Sequence, residues 1–277
     1  MLYLLLIGKA DDLMHGKEPR LFFYGVHLKV MNTLARYSLA LVRIPVLCVL
    51  FTLMSMGTLV ITRVASRRWG HRLFDGGIKI FHWIMGVQIR VIGTPPTEPV
   101  VLLCNHPSHF DIFFSRLPRP TTLFIASEFR NTPLMGWLAS SLNAIWVDRQ
   151  NPLSKKLAKN SCLNRLKSGI SVILFPEGKT TASHTLDVVH PGMFYTAEKN
   201  DLSVAFLSIQ YAQREILYFH DLKAGFIRHL SKHLWKLLLL PRIPVTLRYS
   251  SVQHITDAQE GMKDFYRFQR WHNRHAV

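Results

Sequence analysis

The twelve residues VVLLCNHPSHFD at positions 100–111 decide the fold class of this chain. They join a continuous apolar run, residues 100–104, to a polar segment that contains histidine and aspartate. A short run that is apolar at every position is typical of a strand buried on both faces, as strands of parallel sheets are. Open α/β sheets place their ligand sites beyond the carboxyl ends of such strands. We therefore predict a functional site where residues 100–104 end.

The same pattern recurs along the chain. Residues 171–181, SVILFPEGKTT, again join an apolar run, residues 171–175, to a tight turn. Predicted helices, such as residues 73–86 and 153–166, alternate with these runs. Strands that alternate with helices predict an α/β fold, with a largely parallel sheet flanked by helices. The other predicted strands are residues 87–92, 123–126, 144–147, 204–209 and 245–249.

His106 and Asp111 follow the first of these strands. A carboxylate can fix the tautomer of an imidazole and stabilise the imidazolium that forms after proton abstraction. A spacing of five does not align on an ideal helix face, so the pair requires His106 in the loop and Asp111 in the first helical turn. His109 competes for the same role. Residue spacing alone fits a loop hydrogen bond and a helix N-cap equally well.

The second turn holds a carboxylate, a flexible glycine and several donors, in Glu177, Gly178, Lys179 and Thr180. Such a turn can bind hydroxyl and phosphate oxygens through backbone N–H groups, the lysine and the threonine. An ordinary strand–loop turn has a similar composition, so this segment by itself is weak evidence for a site.

Nineteen uncharged residues, IPVLCVLFTLMSMGTLVIT at positions 44–62, precede the α/β pattern. As a helix they would span about 28 Å, close to the roughly 30 Å of a bilayer core. Pro45 suits the first turn of such a helix. A spanning helix, an in-plane helical hairpin and a buried helix of a soluble domain remain open. Arginines flank both ends of the run: Arg36 and Arg43 before it, and Arg63, Arg67, Arg68 and Arg72 after it.

The stronger positive cluster lies on the C-terminal side of this run. By the positive-inside rule, the bulk of the protein is expected on the cytoplasmic side of the inner membrane. We divide the chain into a membrane-associated helical region, residues 1–72, and an α/β domain, residues 73–277. The apolar residues 1–7 are too short, and lack the preceding basic residues, for a cleaved secretory signal.

Composition narrows the classes of function. The 277 residues contain 34 Lys and Arg against 17 Asp and Glu, a formal net charge of +17, and 48% of them are hydrophobic. A basic chain with slightly positive mean hydropathy fits an anionic membrane better than nucleic acid. Three dispersed cysteines and the absence of HExxH-like spacing argue against a disulfide framework and a metal site.

Several blocks, taken in order, resemble the glycerolipid acyltransferase family, which includes bacterial 1-acyl-glycerol-3-phosphate acyltransferases. Residues 105–111 resemble its NHxxxxD block, and residues 175–178 its FPEG block. Residues 144–149, AIWVDR, resemble its block that ends in Asp-Arg. Segments 128–137 and 189–194 resemble the sequences between and after these blocks, so the likeness covers roughly residues 76–250.

The resemblance implies roles for the residues of these blocks. His106 is expected to be the general base, with Asp111 as its orienting partner, and to take a proton from a lipid hydroxyl that attacks an acyl thioester. No acyl-enzyme intermediate is expected. Arg149 is expected to bind the head group of the acceptor, although a surface ion pair with Asp148 is the alternative. The expected substrate-binding residues are Asn105, Ser108, Arg149, Glu177, Gly178, Lys179 and Thr180.

The function implied is a membrane-associated O-acyltransferase that uses acyl-ACP (acyl carrier protein) or acyl-CoA as donor. The first expected acceptor is 1-acyl-glycerol-3-phosphate. Lyso-ornithine lipid is the alternative, because many relatives continue the FPEG block as Gly-Thr-Arg whereas this chain has Lys179 and Thr180. Fewer cationic groups weaken the case for a phosphate-bearing acceptor. The expected partners are the lyso-lipid, the acyl donor and an anionic membrane, with no nucleic acid, metal or other cofactor.

Two other classes remain in view. A non-enzymatic basic protein could bind membranes or nucleic acid with the same charge. A hydrolase would need a nucleophile beside His106, and Ser108 is the nearby hydroxyl, without a GxSxG-like elbow.

Overall fold

The computed structural model describes residues 19–115, 117, 120–132, 135–181, 183, 186–218 and 226–270. The prediction about residues 1–7 lies outside this part of the chain. The helices are α1 (Pro19–Val64), α2 (Arg67–Met85), α3 (Asp111–Phe114), α4 (Met135–Ser141), α5 (Pro152–Lys167), α6 (Gly192–Lys199), α7 (Phe226–Leu238) and α8 (Ala258–Arg270). The strands are β1 (Val87–Ile92), β2 (Val101–Cys104), β3 (Thr121–Ala126), β4 (Ile145–Val147), β5 (Ser171–Leu174), β6 (Ser203–Tyr211), β7 (Ile243–Tyr249) and β8 (Gln253–His254).

The strands form one sheet in the order β1-β7-β6-β2-β5-β3-β4. The short β8 pairs with Ser203 and Val204, the first two residues of β6. Every pairing from β6 to β4 is parallel, and only β7 and β8 pair with β6 in antiparallel fashion. This confirms the α/β fold with a largely parallel sheet. Each of the seven predicted strands is present within two residues of its predicted ends, and the two-residue β8 was not predicted.

Two apolar cores cover the two faces of the sheet. In β2, Leu102 and Cys104 belong to the core beneath α1, α2, α3 and α7. Val101 and Leu103 belong to the core beneath α5, α6 and α8. Alternate residues of a strand point to opposite faces, so all four are buried because both faces are covered.

Helix α1 is apolar on two sides. One side packs on the rest of the protein between residues 40 and 58, where the buried residues are Ala40, Arg43, Leu47, Met54, Ser55 and Thr58 and the half-buried Leu50 and Phe51 lie between them. Large apolar residues of its other side are exposed: Leu41, Val49, Leu53, Met56 and Val60. The segment Met31–Val64 is long and apolar enough to cross a membrane by length and composition. Pro45 lies inside this helix and not in its first turn, because the helix begins at Pro19.

Arg43 joins α1 to the ends of two other helices. Its buried guanidinium donates hydrogen bonds to the carbonyl oxygens of Ile84 (2.9 Å), Leu238 (2.9 Å) and Leu240 (2.6 Å). These carbonyls lie at the C-terminal ends of α2 and α7, where the last carbonyls have no partner within the helix and attract cations. Helix α2 runs across residue 72, and the domain boundary there stays a prediction.

Close contact between α1 and α2 depends on glycines. A β-carbon at Gly77 would lie 2.4 Å from Cγ of the buried Met54, and one at Gly57 would lie 2.8 Å from Leu73. The neighbouring Gly76 is exposed and has nothing within 4 Å of such an atom. Small residues at a helix crossing let the two backbones approach.

These two adjacent glycines provide a matched pair of substitutions. We expect Gly77→Ala to lower the free energy of unfolding by about 1–3 kcal/mol, because the added methyl overlaps Met54 in a filled crossing. Gly76→Ala should raise it by up to about 1 kcal/mol, because alanine is the better helix former. Denaturant unfolding in detergent measures both. Equal effects would show that the crossing is loosely packed.

His233 in α7 is buried against the Tyr218 ring, with 4.7 Å between ring centroids. Burial, together with the charge of Lys236, lowers the pKa of His233 to about 4. The unfolded chain binds a proton at this histidine below about pH 6.5, whereas the folded protein does so only near pH 4. The free energy of unfolding should therefore fall by about 3 kcal/mol as the pH falls through this window.

His233→Gln should remove this slope, and His229→Gln, on the exposed part of the same helix, should keep it. Unfolding curves recorded between pH 4 and 7 measure the difference. The same slope in both variants would contradict the role of His233.

Candidate active site

The segment between β2 and α3 leaves the sheet at Asn105. The side-chain amide of Asn105 accepts from the backbone N–H of Ile209 (2.7 Å) and donates to its carbonyl (3.0 Å). This two-way pairing with β6 satisfies the buried amide. It sets the point at which the following loop begins.

His106 lies in that loop, and Asp111 is the first residue of α3. The Nδ1 atom of His106 is 2.7 Å from Oδ2 of Asp111. This is the arrangement that a spacing of five requires. A hydrogen bond between Nδ1–H and the carboxylate leaves Nε2 of His106 as the free basic nitrogen.

Asp111 is fully buried, and three donors surround its carboxylate. Besides His106, the Ser108 backbone N–H donates to Oδ2 (2.9 Å) and the Tyr211 hydroxyl donates to Oδ1 (2.5 Å). Burial raises the pKa of Asp111, and the hydrogen bonds from His106, Tyr211 and Ser108 oppose that rise. A carboxylate held by three donors has a fixed orientation, and so has the imidazole bound to it.

Glu177 joins the two polar turns. Its carboxylate accepts from the backbone N–H groups of His106 (2.9 Å) and Asp187 (2.9 Å). The backbone N–H of Thr181 donates in return to the carbonyl of His106 (3.0 Å). Burial raises the pKa of Glu177, and the two backbone donors oppose this effect. Phe175 stacks on the His106 ring at 4.0 Å between centroids.

The ring of His106 forms part of the wall of a cavity of about 570 Å³. This is within the range of roughly 300–1,000 Å³ typical of small-molecule sites. One part of the wall is apolar, with Phe74, Ile112, Phe113, Leu123, Ile125, Ala139 and Leu142. The polar part contains the cations Arg149, Lys155 and Lys159, together with His190, and none of the described residues that line the cavity is acidic.

Gly178 lies beside this cationic part of the wall. A β-carbon there would lie 3.4 Å from the His190 ring and 4.0 Å from the guanidinium carbon of Arg149, which is ordinary van der Waals contact. Its φ of 69° is in the left-handed region that favours glycine. The backbone conformation of the turn therefore explains the glycine.

The predicted site residues fall into three groups by their location relative to the cavity. His106, Arg149 and Gly178 line the cavity. Lys179 lies outside the lining and forms an ion pair with Asp187 at 2.8 Å, with both side chains 43% exposed. Asn105, Ser108, Asp111, Glu177 and Thr180 are buried beside the cavity.

These positions bear on two alternatives from the sequence. His106, and not His109, binds Asp111; His109 packs against the Tyr218 ring at an angle of 45°, with 4.4 Å between centroids. Arg149 lines the cavity, and the Asp148 carboxylate, its alternative partner, accepts from the Gln150 backbone N–H (2.9 Å). Within the described ranges, His, Cys, Asp and Glu do not form any group of three or more that could hold a metal ion.

Several residues of the site were missed in the sequence, among them His190, Tyr211, Lys155 and Lys159. Tyr211 is a hundred positions from Asp111 and ends a strand, so no local pattern connects them. Lys155 and Lys159 are four residues apart on α5 and follow Arg149 closely. Their helical spacing is a signal that could have placed them on one side of the helix.

The chain is similar in sequence to several known proteins. Residues 88–210 match the family described as Acyltransferase. A lyso-ornithine lipid O-acyltransferase of Pseudomonas aeruginosa is 29% identical over 153 residues, which cover 54% of this chain and 58% of that protein. A 1-acyl-sn-glycerol-3-phosphate acyltransferase of the same species is 34% identical over 96 residues, 33% of this chain and 36% of that protein.

The fold has a solved counterpart. The crystal structure of the 1-acyl-sn-glycerophosphate (LPA) acyltransferase PlsC from Thermotoga maritima superposes with a TM-score of 0.64 at 16% identity. It covers 89% of this chain and 99% of that chain. At this identity the likeness concerns the fold, and the match to the Acyltransferase family concerns residues 88–210. The chain spans less than two thirds of the length of the two curated relatives described above.

Tyr211→Phe tests the buried carboxylate directly. We expect a loss of about 2 kcal/mol in the free energy of unfolding, because one oxygen of a fully buried carboxylate loses its donor. Tyr195→Phe, which removes a hydroxyl bonded to Gln259 at the surface, should change it by less than about 0.5 kcal/mol. Chemical denaturation measures both. Equal small losses would show that Tyr211 contributes little to holding Asp111.

Proposed function

We propose that this protein transfers a fatty acyl chain from a thioester to the hydroxyl of a lyso-lipid. The observation that supports this most directly is the His106–Asp111 pair, in which the His106 ring lies in the wall of a cavity that is apolar on one side and cationic on the other. The apolar part suits an acyl chain, and the cationic part suits an anionic head group.

The proposed reaction is a single displacement. Nε2 of His106 takes the proton as the hydroxyl oxygen of the acceptor attacks the thioester carbonyl carbon. Asp111 stabilises the imidazolium that forms. The tetrahedral intermediate then expels the thiolate, which receives the proton from His106, so that an ester and a free thiol result. A thioester is already activated, and the reaction as proposed uses no metal or other cofactor.

Ser108 does not suit the alternative of a hydrolase nucleophile. Its side chain is fully buried, and its hydroxyl accepts from the backbone N–H of Phe110 (3.3 Å). It does not belong to the cavity wall, whereas a nucleophile must reach the carbonyl carbon. We therefore assign Ser108 to the shaping of the loop around Asp111.

The first proposed acceptor is 1-acyl-glycerol-3-phosphate. The lysines contributed by α5, together with Arg149, offset the paucity of cations in the sequence blocks. An ornithine head group carries an ammonium as well as a carboxylate, and the described wall offers no carboxylate to bind the ammonium. Lyso-ornithine lipid remains the second candidate, because relatives from Pseudomonas aeruginosa and Rhizobium meliloti are named as lyso-ornithine lipid O-acyltransferases.

The proposed membrane contact is the outward face of α1 and α2. Trp69 (56% exposed) and Trp83 (82% exposed) extend the apolar face of α1 onto α2, and tryptophan favours membrane interfaces. The buried side of α1 packs on the domain from residue 40 to residue 58, about 27 Å of helix. Since one side is covered along this length, we favour in-plane insertion over a spanning helix. The cytoplasmic side of the inner membrane is proposed from the arginine distribution alone.

The test is an assay of purified protein in anionic vesicles with one labelled acyl donor. The acceptors are 1-acyl-glycerol-3-phosphate, lyso-ornithine lipid and glycerol 3-phosphate. We expect transfer to the first, reduced about 100-fold to 10,000-fold by His106→Ala, because a general base contributes that much. Asp111→Asn should also reduce it strongly, with vesicle binding unchanged.

His229→Ala, on the exposed part of α7, is the matched control and should keep full activity. Transfer to lyso-ornithine lipid alone would replace the proposed acceptor. Full activity of His106→Ala, or acylation of none of the three acceptors, would overturn the proposed reaction.

A further inference from the structure

We propose that the outward face of α5 is the docking surface for an acidic carrier protein that delivers the acyl thioester. This rests on the proposed acyl transfer and selects the protein-bound donor over the CoA thioester. The outward face is defined as Leu153, Lys156, Leu157, Asn160 and Lys167, which are all exposed.

Helix α5 and the residues just before it carry charge of one sign. Residues 149–167 include six Lys or Arg and no Asp or Glu. The first turn of α5 lacks acidic residues, although the amino end of a helix favours them. A helix with one sign of charge steers a partner of the opposite sign and raises its association rate. An acyl carrier protein is acidic and fits this charge.

The exposed apolar residues are the second argument. Leu153 and Leu157 are 63% and 57% exposed, one helical turn apart, with Lys156 between them. The other side of α5 packs on the sheet through Ala158 and Cys162. A small apolar centre bordered by charged residues is the usual anatomy of a protein–protein interface. The phosphates of CoA require cations, and two outward leucines offer no favourable contact to phosphates.

Position is the third argument. Lys155 and Lys159 of the same helix line the cavity. A carrier bound to α5 would therefore hold its thioester arm next to the cavity. Helix α5 covers the face of the sheet opposite to α1 and α2. The outward face of α5 is therefore separated by the sheet from the proposed membrane contact, and a soluble partner suits it better than lipid.

The experiment compares two donors that carry the same hexadecanoyl chain, one on a bacterial acyl carrier protein and one on CoA, with one acceptor. The variants are Lys156→Glu and Leu157→Ser, which change exposed side chains away from the cavity. We expect each to raise the KM for acyl-ACP at least 10-fold and to leave kcat and the KM for acyl-CoA within twofold. The salt dependence of the acyl-ACP reaction should weaken in Lys156→Glu.

Lys199→Glu is the matched control, because it reverses an exposed charge at the far end of α6 on the same face of the sheet. It should leave both donors unaffected. Unchanged kinetics with acyl-ACP in both α5 variants would overturn the proposal. Equal losses with both donors, or reduced binding to anionic vesicles, would also overturn it, since α5 would then serve the cavity or the membrane.

A direct binding titration separates this proposal from the proposed reaction. If the unaltered protein transfers acyl chains from neither donor, the reaction fails, while binding of hexadecanoyl-ACP to the same variants still tests the docking surface. Weaker binding of the carrier to Lys156→Glu supports the surface, and equal binding overturns it.

Discussion

The parallel pairing of β2 with β5 is the constraint on which the rest of the site depends. Val101 lies opposite Val172, and Leu103 opposite Leu174, so the two strands end at the same edge of the sheet. The NHxxxxD loop and the FPEG turn therefore start side by side. Glu177 can then accept from the backbone of His106 across 71 residues of chain. A shift in register would separate the carboxylate from the N–H groups that compensate its burial.

Two buried carboxylates hold this edge together, and each has a separate task. Asp111 orients the His106 ring, while Glu177 binds the backbone N–H groups of His106 and Asp187. A buried carboxylate is costly unless donors surround it. The loops around both acids are therefore constrained to a single arrangement. The cavity wall has the opposite character, with cations and no acid among its described residues, so its cations are separate from the two acids that hold the His106 loop.

Helix α1 connects the proposed membrane contact to the helices that border the cavity. Arg43 brings it against the ends of α2 and α7, and glycines of both helices let α1 and α2 approach closely. Phe74 of α2 lies in the wall of the cavity. The apolar outer side of α1 and the acyl-chain part of the cavity thus belong to one helical layer, on the face of the sheet opposite α5. In the proposed function, lipid and carrier protein approach from the two sides of the sheet.

The strands and the α/β class could be predicted from the sequence, because buried parallel strands are uniformly apolar. The sequence also placed His106 and Asp111 at the end of a strand, but it left His109 as a competitor, and the structure pairs His106 with Asp111. The sequence located the long apolar helix as well, although it placed Pro45 at the helix start. The long-range contacts came from the tertiary structure: Tyr211 with Asp111, Glu177 with the backbone of His106, and Arg43 with three carbonyls at the ends of helices. It also brought Lys155 and Lys159 to the cavity and so revised the weak cationic character inferred from the motifs. These contacts depend on strand order and helix placement, which join residues far apart in sequence and have no local pattern.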